Sequence, residues 1–250
     1  MPRTADPLRH LRLAAVNIDG VLLNDTFSPV IHQFVTSRGG RYTADVESAV
    51  FSQPRLVAAR ALGAMAGVSW TPEKVLEVYF EERAAYLEQH PLHLLDGAIE
   101  LLRRLRAIGL RTVCYGGLDD SHFRRHLGEF ADLFDGPGYV CTNDFRPGVH
   151  EIVTDVFGLD HDRALFIDDV ARVAEAARAL GTAFIGHPPH FAHGFQGELM
   201  RAAGVRHIVG SLPAIDEPLL RTLDAEAAAG TLWASPVTTT HETEGPRDDR

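Results

Sequence analysis

Short apolar runs alternating with helix-length amphipathic stretches constrain this 250-residue chain more than any other feature. Leu11 to Val16 is the first run and leads into Asn17-Ile18-Asp19-Gly20. Arg111 to Tyr115, Tyr139 to Cys141, Ala164 to Ile167 and Ala183 to Ile185 follow, and Val205 to Val209 reads as a sixth. Runs this short, bounded by glycine, proline or polar residues, are buried strands. Between them lie helical patterns over Ala98 to Ile108, Asp119 to Gly128, Val149 to Phe157 and Ala171 to Leu180, with Gly109, Gly158 and Gly181 as stops. That alternation predicts an α/β fold, a parallel sheet with helices on both faces. Ligands of such sheets bind at the carboxyl ends of the strands. Asp19 and the pair Asp168-Asp169 are expected at that edge.

One interruption breaks the alternation. From Pro29 to Gln89 the pattern is helical throughout, with Thr71-Pro72-Glu73 as a capped helix start. The expected organisation is a core over 10–24 and 93–215, a helical insertion over 25–92, and a disordered tail over 235–250. Residues Met1 to Arg9 read as a loose leader. The formal charge of -10 argues against nucleic acid or an anionic membrane as partner. No apolar run is long enough to span a bilayer and no signal-like start is present, so the expected location is the cytoplasm. Cys114 and Cys141 lie in apolar segments and read as reduced thiols. Oligomeric state is left open.

Val16-Asn17-Ile18-Asp19-Gly20-Val21-Leu22 resembles the first motif of the haloacid dehalogenase superfamily, a strand followed by Asp-x-Asp-Gly-(Thr/Val)-Leu. Leu165-Phe166-Ile167-Asp168-Asp169, with Glu175 to Gly181 behind it, resembles the fourth motif and its helix. Leu95-Asp96-Gly97 resembles the return from that family's cap insertion. The resemblance implies a Rossmann-like core with a C1-type helical cap. It also implies a chemistry in which the first aspartate attacks phosphorus (or carbon) and forms a covalent intermediate. The second aspartate is general acid and base. Magnesium is held by the first side chain, the second residue's backbone carbonyl and a fourth-motif aspartate. A second-motif Ser or Thr and a third-motif lysine hold the phosphoryl oxygens.

This chain departs from that pattern at several steps. Asn17 stands at the nucleophile, and its neutral amide is a poor nucleophile and a weaker magnesium ligand. Loss of a covalent nucleophile costs on the order of 10⁴ to 10⁶ in rate in well-studied hydrolases. Gly116, followed by Gly117, replaces the hydroxyl residue, so only backbone N–H groups remain to meet an anion. Arg146 replaces the lysine and keeps the charge with a bidentate fork. Asp169 aligns with the metal ligand, with Asp168, Asn17 and Asp19 as its companions. With three further positions changed (Gly116, Arg146 and Val173, where an Asn or Asp often follows the fourth motif), Asn17 reads as a natural substitution rather than an engineered trap.

Each residue also has a bland reading. Asp19 could simply stabilise its loop, Asp168-Asp169 could cap a helix, and Gly116-Gly117 could be only a turn. Arg146 fits pocket and surface equally. His187, His190 and His193 read as a solvated proline-rich loop rather than a zinc site. The resulting expectation is a divergent hydrolase-family protein that binds a small anionic ligand between core and cap. Asp19 and Asn17 are its candidate catalytic residues, and magnesium, weakened by Asn17, is its candidate cofactor. A non-catalytic binding or regulatory protein, and an ordinary magnesium-dependent phosphatase or dehalogenase seen as an Asp-to-Asn variant, are the alternatives.

Overall fold

Five of the six apolar runs form strands: β1 (Leu13–Asn17), β2 (Arg111–Gly116), β3 (Tyr139–Cys141), β4 (Ala164–Asp168) and β5 (Ala183–Gly186). In the computed structural model, which describes residues 6–234, they make one parallel sheet in the order β3-β2-β1-β4-β5. β1 pairs with β2 on one side, Asn17 beside Tyr115, and with β4 on the other, Val16 beside Ile167. Strand order reverses at β1, the switch point at which α/β sheets open a crevice beyond their carboxyl ends. Every residue of β1 and β4 is buried, as strands covered on both faces must be.

The sixth run is not a strand. Val205 to Val209 makes a single parallel bridge, Ile208 to Gly186. The reason is local, because β5 ends at Gly186 and Pro188-Pro189 cannot extend a ladder.

Four helices lie between β1 and the next core element: α1 (Ser28–Thr36), α2 (Ala44–Val50), α3 (Arg55–Met65) and α4 (Pro72–Gln89). Thr71 caps α4 through a bond from the Lys74 N–H, with Pro72 in the first turn. The chain leaves and re-enters the core at one place. Leu95 N–H donates to Leu22 O at 2.9 Å, and Asn24 N–H donates to His93 O at 3.1 Å. A buried carboxylate ties the helices down further on. Glu47 of α2 accepts from Tyr42 Oη (2.8 Å), Phe195 N (3.0 Å) and Gln196 Nε2 (2.9 Å). Gln196 Oε1 in turn accepts from Ala171 N at 2.7 Å, so the insertion is bonded to the start of the helix after β4.

The core helices are α5 (Ala98–Ala107), α6 (Asp120–Leu127), α7 (Ala171–Leu180), α8 (Gln196–Ala202) and α9 (Glu217–Ala229). The expected helix before Gly158 is a short π-helical segment, Glu151–Val156. The core also runs past residue 215, because Leu220, Leu223 and Ala227 form one buried face of α9. Asp224 of α9 accepts from the N–H groups of Arg9, His10 and Leu11 at 3.0, 2.9 and 2.7 Å. The supposed leader is therefore anchored from Leu8 onward, whose side chain is buried. The expected disordered tail, 235–250, lies outside the described residues. No described helix is long and apolar enough to cross a membrane.

Candidate functional site

A cavity of about 150 Å³ opens between the carboxyl edge of the sheet and the four inserted helices. Asn17, Asp19, Gly117, Arg146 and Asp169 line it from the core. Phe27, Ile31, Leu62, Leu76, Tyr79 and Phe80 face them from the insertion. One wall is polar and the other is largely apolar. A ligand with a charged end and a short hydrocarbon body matches that division.

Asn17 ends β1 and is buried. Its amide Nδ2 donates to Asp169 Oδ1 at 2.8 Å and to the backbone O of Asp19 at 3.1 Å. The opposite amide orientation would set a carbonyl against two acceptor oxygens. Gly20 completes the corner with φ +89°, and a Cβ there would lie 2.1 Å from Asp169 Oδ2. Only glycine permits this approach.

Asp168 and Asp169 are adjacent in sequence but differ in what they offer. Asp168 accepts from Tyr115 Oη and, at 2.7 Å, from Val170 N, so both its oxygens are engaged inside the core. Burial pushes its carboxyl up to about 6, against the bond from Tyr115. Asp169 is raised well above the ordinary carboxylate range, first by burial and then by the charge of Asp168. Two buried acids so close do not both ionise readily. Asp169 faces the cavity, whereas Asp168 does not line it.

Asp19 lies beyond the end of β1, and its Oδ1 is 2.9 Å from Nε2 of His122 on α6. The His122 side chain is 10% exposed and that of Asp19 11%, so the pair is shielded without being sealed from the site. Sequence reasoning missed His122, which looks like one more polar residue at the start of a polar helix. It also missed Arg55. That residue of α3 donates from Nη2 to Gly117 O at 2.9 Å, while Arg146 donates from Nη1 to Ser52 Oγ at 3.1 Å. One arginine crosses the cleft in each direction. Neither is ion-paired among the described residues. Two unneutralised guanidinium groups on one cavity suit an anion.

Gly116 sits behind this wall rather than on it. A Cβ at Gly116 would meet Ile18 Cγ2 at 2.6 Å and Tyr139 Oη at 3.1 Å, so the place of a serine or threonine is already filled. At Gly117 a Cβ would fall 1.6 Å from Arg146 Nη2, and that glycine makes room for the guanidinium. His187 is buried and not solvated, with Nδ1 donating to Gly20 O at 3.1 Å. It braces the corner that carries Asp19. His190 and His193 are exposed, and among the described residues no group of three or more His, Cys, Asp or Glu could hold a metal ion.

No protein-family model and no curated protein matches the sequence. Solved structures do match the fold. β-Phosphoglucomutase from Clostridium difficile aligns with a TM-score of 0.62 at 11% identity, over 88% of this chain and 99% of that one. A HAD hydrolase of family IA, variant 3, from Entamoeba histolytica aligns with a TM-score of 0.61 at 14% identity, over 86% and 100%. A HAD family hydrolase from Deinococcus radiodurans R1, solved with bound phosphate and sodium, gives 0.56 at 19% identity, over 87% and 96%. The chain has the haloacid dehalogenase fold. Asn17 and Asp169 meet at the carboxyl edge of this sheet, beside the end of β1.

Magnesium, which the resemblance implies, must be judged against the donors present. The ion would join the residue-17 side chain, the Asp19 carbonyl and Asp169. Here the Asn17 N–H₂ points at both other partners, so the side chain turns a donor and not its oxygen toward them. Hard divalent ions take oxygen donors, and an amide N–H₂ is not one. The residues in this arrangement do not fit the ion.

Proposed function

We propose that this chain binds a small organic anion between the sheet edge and the inserted helices, and performs acid–base chemistry on it through Asp19 without an aspartyl intermediate. The cleft-crossing pair Arg55 and Arg146, without carboxylate partners among the described residues, is the observation that carries this reading. The anion takes the place of those two crossing bonds. Its hydrocarbon body lies against Phe27, Ile31, Leu62 and Leu76, where burial of apolar surface adds about 25 cal/mol per Å². Asp19 stands at the polar wall with His122 bonded to the same carboxylate. The imidazole holds the carboxylate's orientation and keeps a proton within reach of it. Asn17 supplies no nucleophile, and its amide serves as a fixed internal clamp on Asp169.

A second reading is favoured by that same clamp. With Asn17 bonded to Asp169, and Asp168 bonded to Tyr115 and Val170, most of the polar edge is satisfied internally. A binding or regulatory protein needs no more than the arginines and the apolar wall. The two readings separate in one experiment. Purified protein is screened against phosphate esters and 2-haloacids, and any reaction found is repeated with Asp19→Asn. Turnover lost with retained ligand affinity supports the enzyme. Binding without turnover in the wild type supports the binding protein. No binding of any organic anion refutes both.

A further inference from the structure

Three buried polar atoms of the inserted segment have no hydrogen-bond partner among the described residues: Asp25 Oδ2, Tyr79 Oη and Arg83 Nε. Natural proteins leave few such atoms. Asp25 and Tyr79 line the cavity. The Tyr79 residue is 6% exposed and Arg83 is 7% exposed. Arg83 follows Tyr79 by one helical turn of α4, which puts the two on one face. Its Nη2 donates to Thr26 Oγ1 at 2.9 Å, and its guanidinium lies 4.3 Å from the Phe27 ring centroid. Thr26 is the residue after Asp25, so the three side chains belong to one neighbourhood. The other oxygen of Asp25 is committed, since Oδ1 accepts from Phe27 N and Ser28 N at 2.8 and 3.0 Å at the start of α1. Oδ2 makes no hydrogen bond of acceptable geometry among the described residues, with the Ser28 hydroxyl a neighbouring donor to the carboxylate.

We propose that Asp25 and Tyr79, backed by Arg83, form a hydroxyl-recognising pole of the cavity, so that its anionic ligand carries a hydroxyl group on a short apolar body. This rests on the anion-binding reading above and names the ligand class more closely. A hydroxyl donates one hydrogen bond and accepts others. It can donate to Asp25 Oδ2 while accepting from Tyr79 Oη, and so satisfies the carboxylate and the phenol together. An ammonium offers donors only and would place a second cation beside Arg83. A methyl would leave every one of these atoms unpaired in an apolar enclosure. The pole and the two arginines stand on one cavity of about 150 Å³, so a single small molecule can reach both.

The test uses three alkylphosphonates of matched length in EDTA: propylphosphonate bearing a terminal hydroxyl, the same chain bearing a terminal ammonium, and butylphosphonate. Calorimetry on the wild type is expected to show the hydroxyl probe binding about tenfold or more tighter than butylphosphonate, the size of one satisfied buried polar group. Tyr79→Phe and Asp25→Asn should each reduce that preference to about threefold or less. Asparagine keeps the Oδ1 acceptor that starts α1, so the fold is not at stake. Equal binding of the hydroxyl and methyl probes, preference for the ammonium probe, or a preference that survives both variants overturns the assignment and leaves the anion site standing. Failure of all three probes removes the anion site and this pole with it. A second measurement needs no ligand. Tyr79→Phe deletes an unpaired buried hydroxyl, so the Tm of the free protein should rise by about 2 to 4 °C. A fall in Tm shows that the hydroxyl is already satisfied, by ordered water for example, and overturns the proposal.

Discussion

Replacing Asn17 with aspartate tests how the polar edge is balanced. The change turns a donor 2.8 Å from Asp169 Oδ1 into a second buried carboxylate at the same separation. Two like charges at that distance repel by about 6 kcal/mol at an effective dielectric near 20. Asp169 already leans toward its protonated form through burial and the charge of Asp168, and a second carboxylate strengthens that lean, so the added cost is at most that of one proton taken up against an ordinary carboxyl. Uptake costs about 1.4 kcal/mol per pH unit above roughly 4, giving about 5 kcal/mol at pH 8 and about 2 kcal/mol at pH 5.5. The folded variant binds a proton that the unfolded chain releases, so its stability must rise as the pH falls. At about 2 to 4 °C per kcal/mol for a chain of this size, Asn17→Asp should melt about 10 to 20 °C below wild type at pH 8. At pH 5.5 the gap should narrow to about 4 to 8 °C. Millimolar magnesium should recover about 5 °C or more of the loss at pH 8, by supplying the cation that the amide replaces. The wild type should not respond. The assay is thermal unfolding in EDTA and in magnesium at both pH values. Equal melting of the two proteins at pH 8 in EDTA, or equal magnesium shifts, would refute the placement of Asn17 as an internal clamp.

Other residues give independent checks. Asp168, raised to about 6 by burial, contributes stability that is full below about pH 4 and is lost as the pH rises through about 6. Asp168→Asn should therefore flatten the fall in stability between pH 4.5 and 7.5, worth about 2 kcal/mol in denaturant titrations, and parallel pH profiles would contradict this. Gly116→Ser should not restore phosphatase chemistry and should lower stability by about 1 to 3 kcal/mol, because its Cβ meets Ile18 and Tyr139. An unchanged denaturation midpoint would show that the wall yields more easily than described. His122→Ala should lower the rate of any Asp19-dependent reaction by loosening the carboxylate it holds at 2.9 Å, and an unchanged rate would make His122 irrelevant to that carboxylate.

The sheet was legible because its strands are nearly continuous apolar runs, with Asp19 just beyond β1 and Asp168 ending β4 at the expected edge. Asn17 and Asp169 could be read from the motif order, and the structure bonds them. What could not be read is whatever the insertion brings across the cleft. Arg55, Tyr79 and Arg83 sit in helices whose local pattern gives no hint of a cavity, and their roles arise from contacts with residues far along the chain. Glu47 would pass for a surface acid, yet it is buried by three donors from Tyr42, Phe195 and Gln196. His187, just ahead of Pro188-Pro189, reads as solvated, but the carbonyl of Gly20 needs a donor and draws it inside. α9 escaped notice because its apolar face is short, although its buried leucines and Asp224 close the sheet's amino end.

Binding of butylphosphonate to the wild type and to Arg146→Gln, by calorimetry in EDTA and again in magnesium, bears most directly on an anion site that needs no metal. The wild type should bind with the same Kd, within about twofold, in both buffers. Arg146→Gln should weaken binding about tenfold or more, as loss of a charge-assisted contact does. Binding that appears only with magnesium, or that is indifferent to Arg146, would contradict the account.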